Sequence, residues 1–150
     1  VVATTRAIAE AFDNGMEYFN TFGGNPVSAA IGNAVLDEIE RLDFVNHGAT
    51  LGDQLLGSLT ALADLHREIG DVRGAGLYLG VELVENRDSK QPATALARAI
   101  VEHAKERGVL LSTDGPFGNV IKIKPPMVFS SADADRLVAV IDQALAASVF

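Results

Sequence analysis

Thr21 is followed by Phe22 and the pair Gly23-Gly24, and then by Asn25-Pro26, where a helix is signalled. A hydroxyl, exposed backbone N–H groups and the positive end of a helix dipole together suit a phosphate. The same residues also suit a loop that uses glycine only to turn. Far along the chain, Val120-Ile121-Lys122-Ile123-Lys124 alternates, so Lys122 and Lys124 share one strand face and Pro125-Pro126 ends the run. Two like charges side by side favour an anionic ligand or a carboxylate partner. The plainer reading is a solvated face whose aliphatic stems lie on the sheet. Arg73, beside a turn, can hold a carboxylate or close a local salt bridge.

Other chemistries find little support. His47, His66 and His103 show neither HxxxH nor HExxH spacing, so they read as surface or helix-packing residues and no metal site is expected. Ser112-Thr113-Asp114 precedes Gly115-Pro116 in a stretch that reads as a loop, with no G-x-S-x-G elbow and no Ser-His-Asp order, which argues against nucleophilic hydrolysis. The absence of cysteine excludes disulfides, thiolate catalysis and Cys-ligated zinc, and suits a reducing cytoplasm.

Four helices are needed to position these residues. The first carries Val27, Ala30, Ile31, Ala34, Val35, Ile39 and Leu42, with Asn25 as its cap and Pro26 in its first position. The second, starting near Asp43, carries Leu51, Leu55, Leu56, Leu59, Leu62, Ala63 and His66. A third runs from about Pro92 to Arg107 and stops at Gly108. The fourth opens with Ser130 as cap and Asp133 reaching back, then shows Leu137, Val138, Ile141 and Leu145. Strands are expected at Asp71–Arg73, Leu77–Val84, Val109–Ser112 and Val120–Lys124. The glycines at 74 and 76 suggest a hairpin-like reversal between the first two. The order α, α, β, β, α, β, β, α predicts an α/β (α+β) two-layer sandwich, a small mostly antiparallel sheet with helices packed on it, rather than a doubly wound sheet.

Length and charge agree. The 150 residues, 48% apolar and 21% charged, fit one domain with a core of its own, and no repeat or linker divides them. Twelve basic against 20 acidic residues give a net charge of -8 without a basic run, so no nucleic-acid partner is expected. No apolar run nears the roughly 20 residues of a bilayer span, so no membrane partner is expected either. A mean hydropathy of +0.20 is high for a chain this short and suggests surface covered by a partner subunit or a larger protein. The start Val1-Val2-Ala3-Thr4-Thr5 reads as the middle of a longer polypeptide, so a fragment is expected.

Three separated segments, taken in order, carry a family resemblance. Phe19-Asn20-Thr21-Phe22-Gly23-Gly24-Asn25-Pro26, then Gly70-Asp71-Val72-Arg73-Gly74-Ala75-Gly76-Leu77-Tyr78-Leu79-Gly80-Val81-Glu82-Leu83, then Ile121-Lys122-Ile123-Lys124-Pro125-Pro126-Met127 resemble class III pyridoxal-phosphate aminotransferases. The resemblance runs the whole chain. It implies the end of the large domain, about residues 1–30, and the small C-terminal domain, about 31–150, of a fold-type I transferase. It also implies a homodimer with the cofactor site at the subunit interface and a Schiff-base lysine outside this chain, matched by none of Lys90, Lys105, Lys122 or Lys124. The isolated chain is therefore expected to be inactive.

By the same resemblance, Thr21 matches the threonine that contacts the cofactor phosphate of the neighbouring subunit. Lys122 falls where many members have an arginine that receives the substrate α-carboxylate. Lysine there offers a point charge rather than a bidentate fork, which puts an ordinary amino-acid donor in doubt. The Lys-Ile-Lys-Pro-Pro form and Ser112-Thr113-Asp114-Gly115-Pro116 look like the branch holding alanine-glyoxylate-type aminotransferases and phospho-lyases acting on ethanolamine phosphate. Amino transfer from a small-molecule amine or amino acid to a keto or aldehyde acceptor is the first expectation, and phosphate elimination from a phosphorylated amine the second. A non-enzymatic interaction domain is the third.

Overall fold

In the computed structural model, which describes residues 2–147, the chain divides into two compact units, one ending at Glu38 and one beginning at Ile39. The first unit holds α1 (Arg6–Phe12) and most of α2 (Pro26–Arg41). Helix α2 starts where expected, with Pro26 first and Asn25 Oδ1 accepting the N–H groups of Val27 and Ser28 at 2.9 and 3.3 Å. Helix α1 was not foreseen. Thr5 precedes it without a side-chain cap, and none of its seven residues is buried, so neither a cap nor an apolar stripe marks it in the sequence. No residue of α2 is buried either, and Val27, Ile31, Val35 and Leu36 are each at least half exposed.

From Ile39 on the chain has a core. Helix α3 (Phe44–Leu65) follows Asp43, which sits in the left-handed region at φ 50°. Its Leu51, Leu55, Leu59 and Leu62 recur every three or four residues and are all buried. Strands β1 (Ile69–Ala75) and β2 (Tyr78–Leu83) form an antiparallel hairpin across Gly76-Leu77, with Ala75 paired to Tyr78. Gly76 has φ 53°, the conformation that a two-residue hairpin turn asks of its first residue. Helix α3 seats directly on this turn: a Cβ on Gly52 would collide with the Gly76 carbonyl group.

Helix α4 (Thr94–Glu106) buries Ala97, Ile100 and Ala104 and ends before Gly108 at φ 74°. Helix α5 (Ser131–Ala147) opens on the expected capping box. Asp133 N–H donates to Ser130 Oγ at 3.2 Å, and Ser130 N–H donates back to Asp133 Oδ2 at 3.1 Å. Strands β3 (Ser112–Asp114) and β4 (Val120–Ile123) complete a sheet of order β1-β2-β4-β3, antiparallel at every pairing. The third strand thus lies later than the apolar run Val109–Ser112 predicts. Val109-Leu110-Leu111 makes no ladder, and Ser112-Thr113-Asp114, read above as a loop, is the strand itself. Edge pairing with β4, not apolar content, decides its position.

Leu79, Val81 and Leu83 of β2 and Ile121 and Ile123 of β4 point into one cluster with α3, α4 and α5. Two polar ties close this layer. Arg87 caps the end of α3, donating from Nε to the Ile69 carbonyl at 3.0 Å and from Nη2 to the carbonyls of Ala63 and His66. Buried Asn119 donates from Nδ2 to the Leu83 carbonyl at 2.8 Å and accepts the Leu83 N–H on its own backbone carbonyl at 2.9 Å.

Two glycines of α3 should respond oppositely to alanine. Gly57 faces open space, so Gly57→Ala should stabilise by about 0.5–1 kcal/mol through helix propensity. Gly52→Ala must push α3 off the hairpin and should destabilise by about 1–3 kcal/mol. Urea midpoints check both, and equal shifts would contradict the seating of α3 on Gly76.

Candidate functional site

Lys122 lies on β4 between buried Ile121 and Ile123, so its side chain stands on the sheet face opposite the core, as the alternation predicts. The register builds a row across all four strands: Arg73 pairs with Gly80, Gly80 with Lys122, and Lys122 with Ser112. Gly80 places no side chain of its own between the two cations, and the Val120 side chain closes up to it, 3.1 Å from where a Cβ would stand. A hollow of about 400 Å³ opens there, lined among others by Arg73, Tyr78, Gly80, Asp114, Gly115 and Lys122. Lys124 follows the end of β4 and is exposed, whereas Lys122 is half-buried.

The two cations are held very differently. Arg73 Nη1 donates to Asp71 Oδ2 and to Glu82 Oε2, both at 2.6 Å. These two bonds, Asp71 first and Glu82 second, raise the already high Arg73 pKa. Arg73 therefore forms the local salt bridge, through Nη1. Among the described residues Lys122 Nζ has one partner, Asp114 Oδ2, at 3.1 Å, reached diagonally from β4 to β3. The other oxygen, Asp114 Oδ1, accepts the Gly115 N–H at 2.9 Å. That backbone bond first, and Lys122 second, hold the Asp114 carboxyl below its ordinary value. Asp114 and Gly80 stand in segments noted in the sequence, but nothing there places either beside Lys122. Both depend on strand pairing, although a glycine at an outward position of a strand is a visible signal of something passing over it.

Thr21 belongs to the other unit. Asn20 Oδ1 accepts the N–H groups of Phe22 and Gly23 at 3.0 and 2.9 Å, and Asn25 takes those of Val27 and Ser28. The phosphate-cradle reading thus loses four backbone donors to asparagine side chains. The Thr21 hydroxyl is exposed, and no hydrogen bond among the described residues uses it.

The histidines play packing roles where their partners are seen. His47 Nε2 lies 2.8 Å from the Phe129 carbonyl, and His66 Nε2 lies 2.6 Å from Asp142 Oδ1. Among the described residues no group of His, Asp and Glu could hold a metal ion.

The unit from Ile39 on is a mixed α/β fold, a small antiparallel sheet with its core on one face and Arg73 and Lys122 on the other. The sequence pattern described as aminotransferase class-III matches residues 1–145, and the chain belongs to that family. Alanine–glyoxylate aminotransferase 2 homolog 2, mitochondrial, of Arabidopsis thaliana is 48% identical over 144 residues, 96% of this chain and 30% of its own. Ethanolamine-phosphate phospho-lyase homolog 1 of Caenorhabditis elegans is 39% identical over 145 residues, 96% of this chain and 31% of its own. Among solved structures, a phospholyase from Arthrobacter in complex with phosphoethanolamine superposes with a TM-score of 0.89 at 39% identity, covering 95% of this chain and 34% of that one. A Bacillus anthracis aminotransferase follows at 0.83 and 32%, covering 95% and 34%. The chain thus spans about a third of the length of the relatives it matches.

Asp114 titration checks the electrostatics of the row. Because its pKa is depressed from 3.8 in the folded state, its contribution to stability is complete above that value and is lost as pH falls through the lower folded one. The Lys122 pair should therefore stay closed at neutral pH and open only in acid. A carboxyl-carbon NMR titration should place the Asp114 midpoint below 3.8, and a midpoint above it would contradict the geometry.

Proposed function

We propose that this chain is the C-terminal part of a pyridoxal-phosphate-dependent class III aminotransferase. Its first thirty or so residues would end the large domain and the rest would form the small domain. The enzyme would transfer an amino group from an amine or amino acid to a keto or aldehyde acceptor and work as a homodimer. The observation that carries this reading is Lys122, a half-buried cation on the open sheet face whose single partner among the described residues is a surface carboxylate. Family membership along residues 1–145 supports an enzyme over an interaction domain. The apolar side chains exposed along α2 support burial in a larger assembly.

In this reading Thr21 donates its uncommitted hydroxyl to the cofactor phosphate of the neighbouring subunit, and Lys122 orients the substrate through its anionic group. Thr21 fits such a phosphate by exposure and by having no competing internal bond. When bound, pyridoxal phosphate supplies the carbonyl carbon for the substrate amine and a ring that accepts an electron pair from it. The residues of this chain hold and orient; none is assigned the covalent bond.

A second reading, elimination of phosphate from a phosphorylated amine, is favoured by one observation: a lysine, which binds phosphate as a point charge, stands where an arginine that receives a carboxylate is common in the family. The Arthrobacter phospholyase, whose structure holds phosphoethanolamine, supports it as well. Assaying the full-length protein with alanine plus glyoxylate, and separately with ethanolamine phosphate for released phosphate, decides between them. Pyruvate and glycine without phosphate release are expected from the first reading, phosphate release from the second.

Thr21→Ala removes one charge-assisted bond of roughly 1.5–3 kcal/mol and should weaken cofactor retention about ten-fold or more while the fold survives. Unchanged retention on dialysis would reduce the loop to a turn. Lys122→Met should raise KM for an anionic donor by roughly ten-fold, and Lys122→Arg should preserve or improve amino-acid donors by restoring a fork. If Lys122→Met matches wild type with every donor while Lys124→Met is impaired, the roles of the two lysines are reversed.

A further inference from the structure

The open face of the sheet carries two cations and three carboxylates, and the carboxylates are not equivalent. Asp71 and Glu82 both bond Arg73 at 2.6 Å, which fixes that guanidinium as a tie between β1 and β2. Asp114 makes one longer bond to Lys122, 3.1 Å, across side chains that are 54% and 35% exposed. A ligand entering the hollow between Gly80 and Gly115 therefore reaches Lys122 without disturbing Arg73, and meets Asp114 on the same ammonium. Asp114 cannot drift far. Its Oδ1 is tethered by the Gly115 N–H at 2.9 Å, on a turn whose glycine has φ 83°.

We propose that Asp114 is a specificity-determining residue: its carboxylate competes with the substrate's anionic group for Lys122, so the site favours anion-bearing amines less than a free Lys122 would. The proposal rests on the reading of Lys122 as the substrate's anion partner and adds what limits that partnership. A lysine ammonium offers three donors, and one is spent on Asp114. Any anion that uses the others lies close to a second negative charge, while an amine with an uncharged substituent meets no such penalty. The Gly115 and Lys122 bonds keep Asp114 ionised through the neutral range, so the competition operates at working pH. The substrate class that follows is amines that present to Lys122 either no anion or one stronger than a single carboxylate.

The test uses the full-length holoenzyme with Asp114→Asn, Lys122→Met and the double variant. Three quantities are read: KM for alanine, KM for a primary amine without an acidic group, and calorimetric affinity for inorganic phosphate. Asp114→Asn keeps the Gly115 tether and removes the charge. It should lower the alanine-to-amine KM ratio about two- to five-fold and tighten phosphate binding similarly, the scale of one exposed charge pair. In the Lys122→Met background the same change should do nothing to either quantity. A purely structural role would move both donors' KM together and would survive the loss of Lys122. If Lys122→Met shifts the ratio but Asp114→Asn does not, or raises it, the competition is overturned and the role of Lys122 stands. If Lys122→Met leaves both the ratio and phosphate binding unchanged, the reading of Lys122 falls and the proposal with it.

Discussion

A slip of one residue in the pairing of β2 with β4 would turn Lys122 into the core and Ile121 and Ile123 out to water. The register of this central pair is therefore the constraint on which the rest of the sheet depends. It is set by burial: Leu79, Val81 and Leu83 on one strand and Ile121 and Ile123 on the other have almost no exposed surface. Each such side chain contributes on the order of 1.5–3 kcal/mol by leaving water, so a slipped register that exposes several of them is excluded. The inner face fixes which residues stand outward, and the observed register then aligns Arg73, Gly80, Lys122 and Ser112 in one row.

Within that row, charge pairing separates structure from chemistry. Arg73 donates two short bonds, one to Asp71 on its own strand and one to Glu82 on the neighbouring strand, and so links β1 to β2. Lys122 sits on the middle of the sheet with one surface partner on the short edge strand β3. Exposed pairs of this kind contribute little to stability, which leaves Lys122 and Asp114 exchangeable at small cost to the fold. Gly80 is the third member of the arrangement, because any side chain there would stand between the two cations.

Much of this was legible in the sequence because it is local. Asn25-Pro26 and Ser130 with Asp133 announce two helix starts through their own side-chain chemistry, and the β4 alternation announces which face Lys122 takes. What stayed hidden depends on distant partners. Strand β3 lies at Ser112–Asp114 because β4 pairs with it there, although the apolar run just before it looks more like a strand. Arg87 as the cap of α3, and Asp114 as the partner of Lys122, arise only when the chain folds back. The loop at Thr21 holds another detail of this kind: the side chains of Asn20 and Asn25 accept the N–H groups of Phe22, Gly23, Val27 and Ser28, which leaves the Thr21 hydroxyl as the donor to weigh there.

The central claim, that Lys122 receives the anionic group of the substrate, is tested most directly by a crystal structure of the full-length holoenzyme with an unreactive phosphate-bearing amine analogue. The anion should lie within about 3.2 Å of Lys122 Nζ, a hydrogen-bond distance. Asp114 Oδ2 should then stand farther from that nitrogen than the 3.1 Å it holds here, with the Arg73 bonds unchanged. An anion seated elsewhere, with the Lys122–Asp114 pair intact, would contradict the claim.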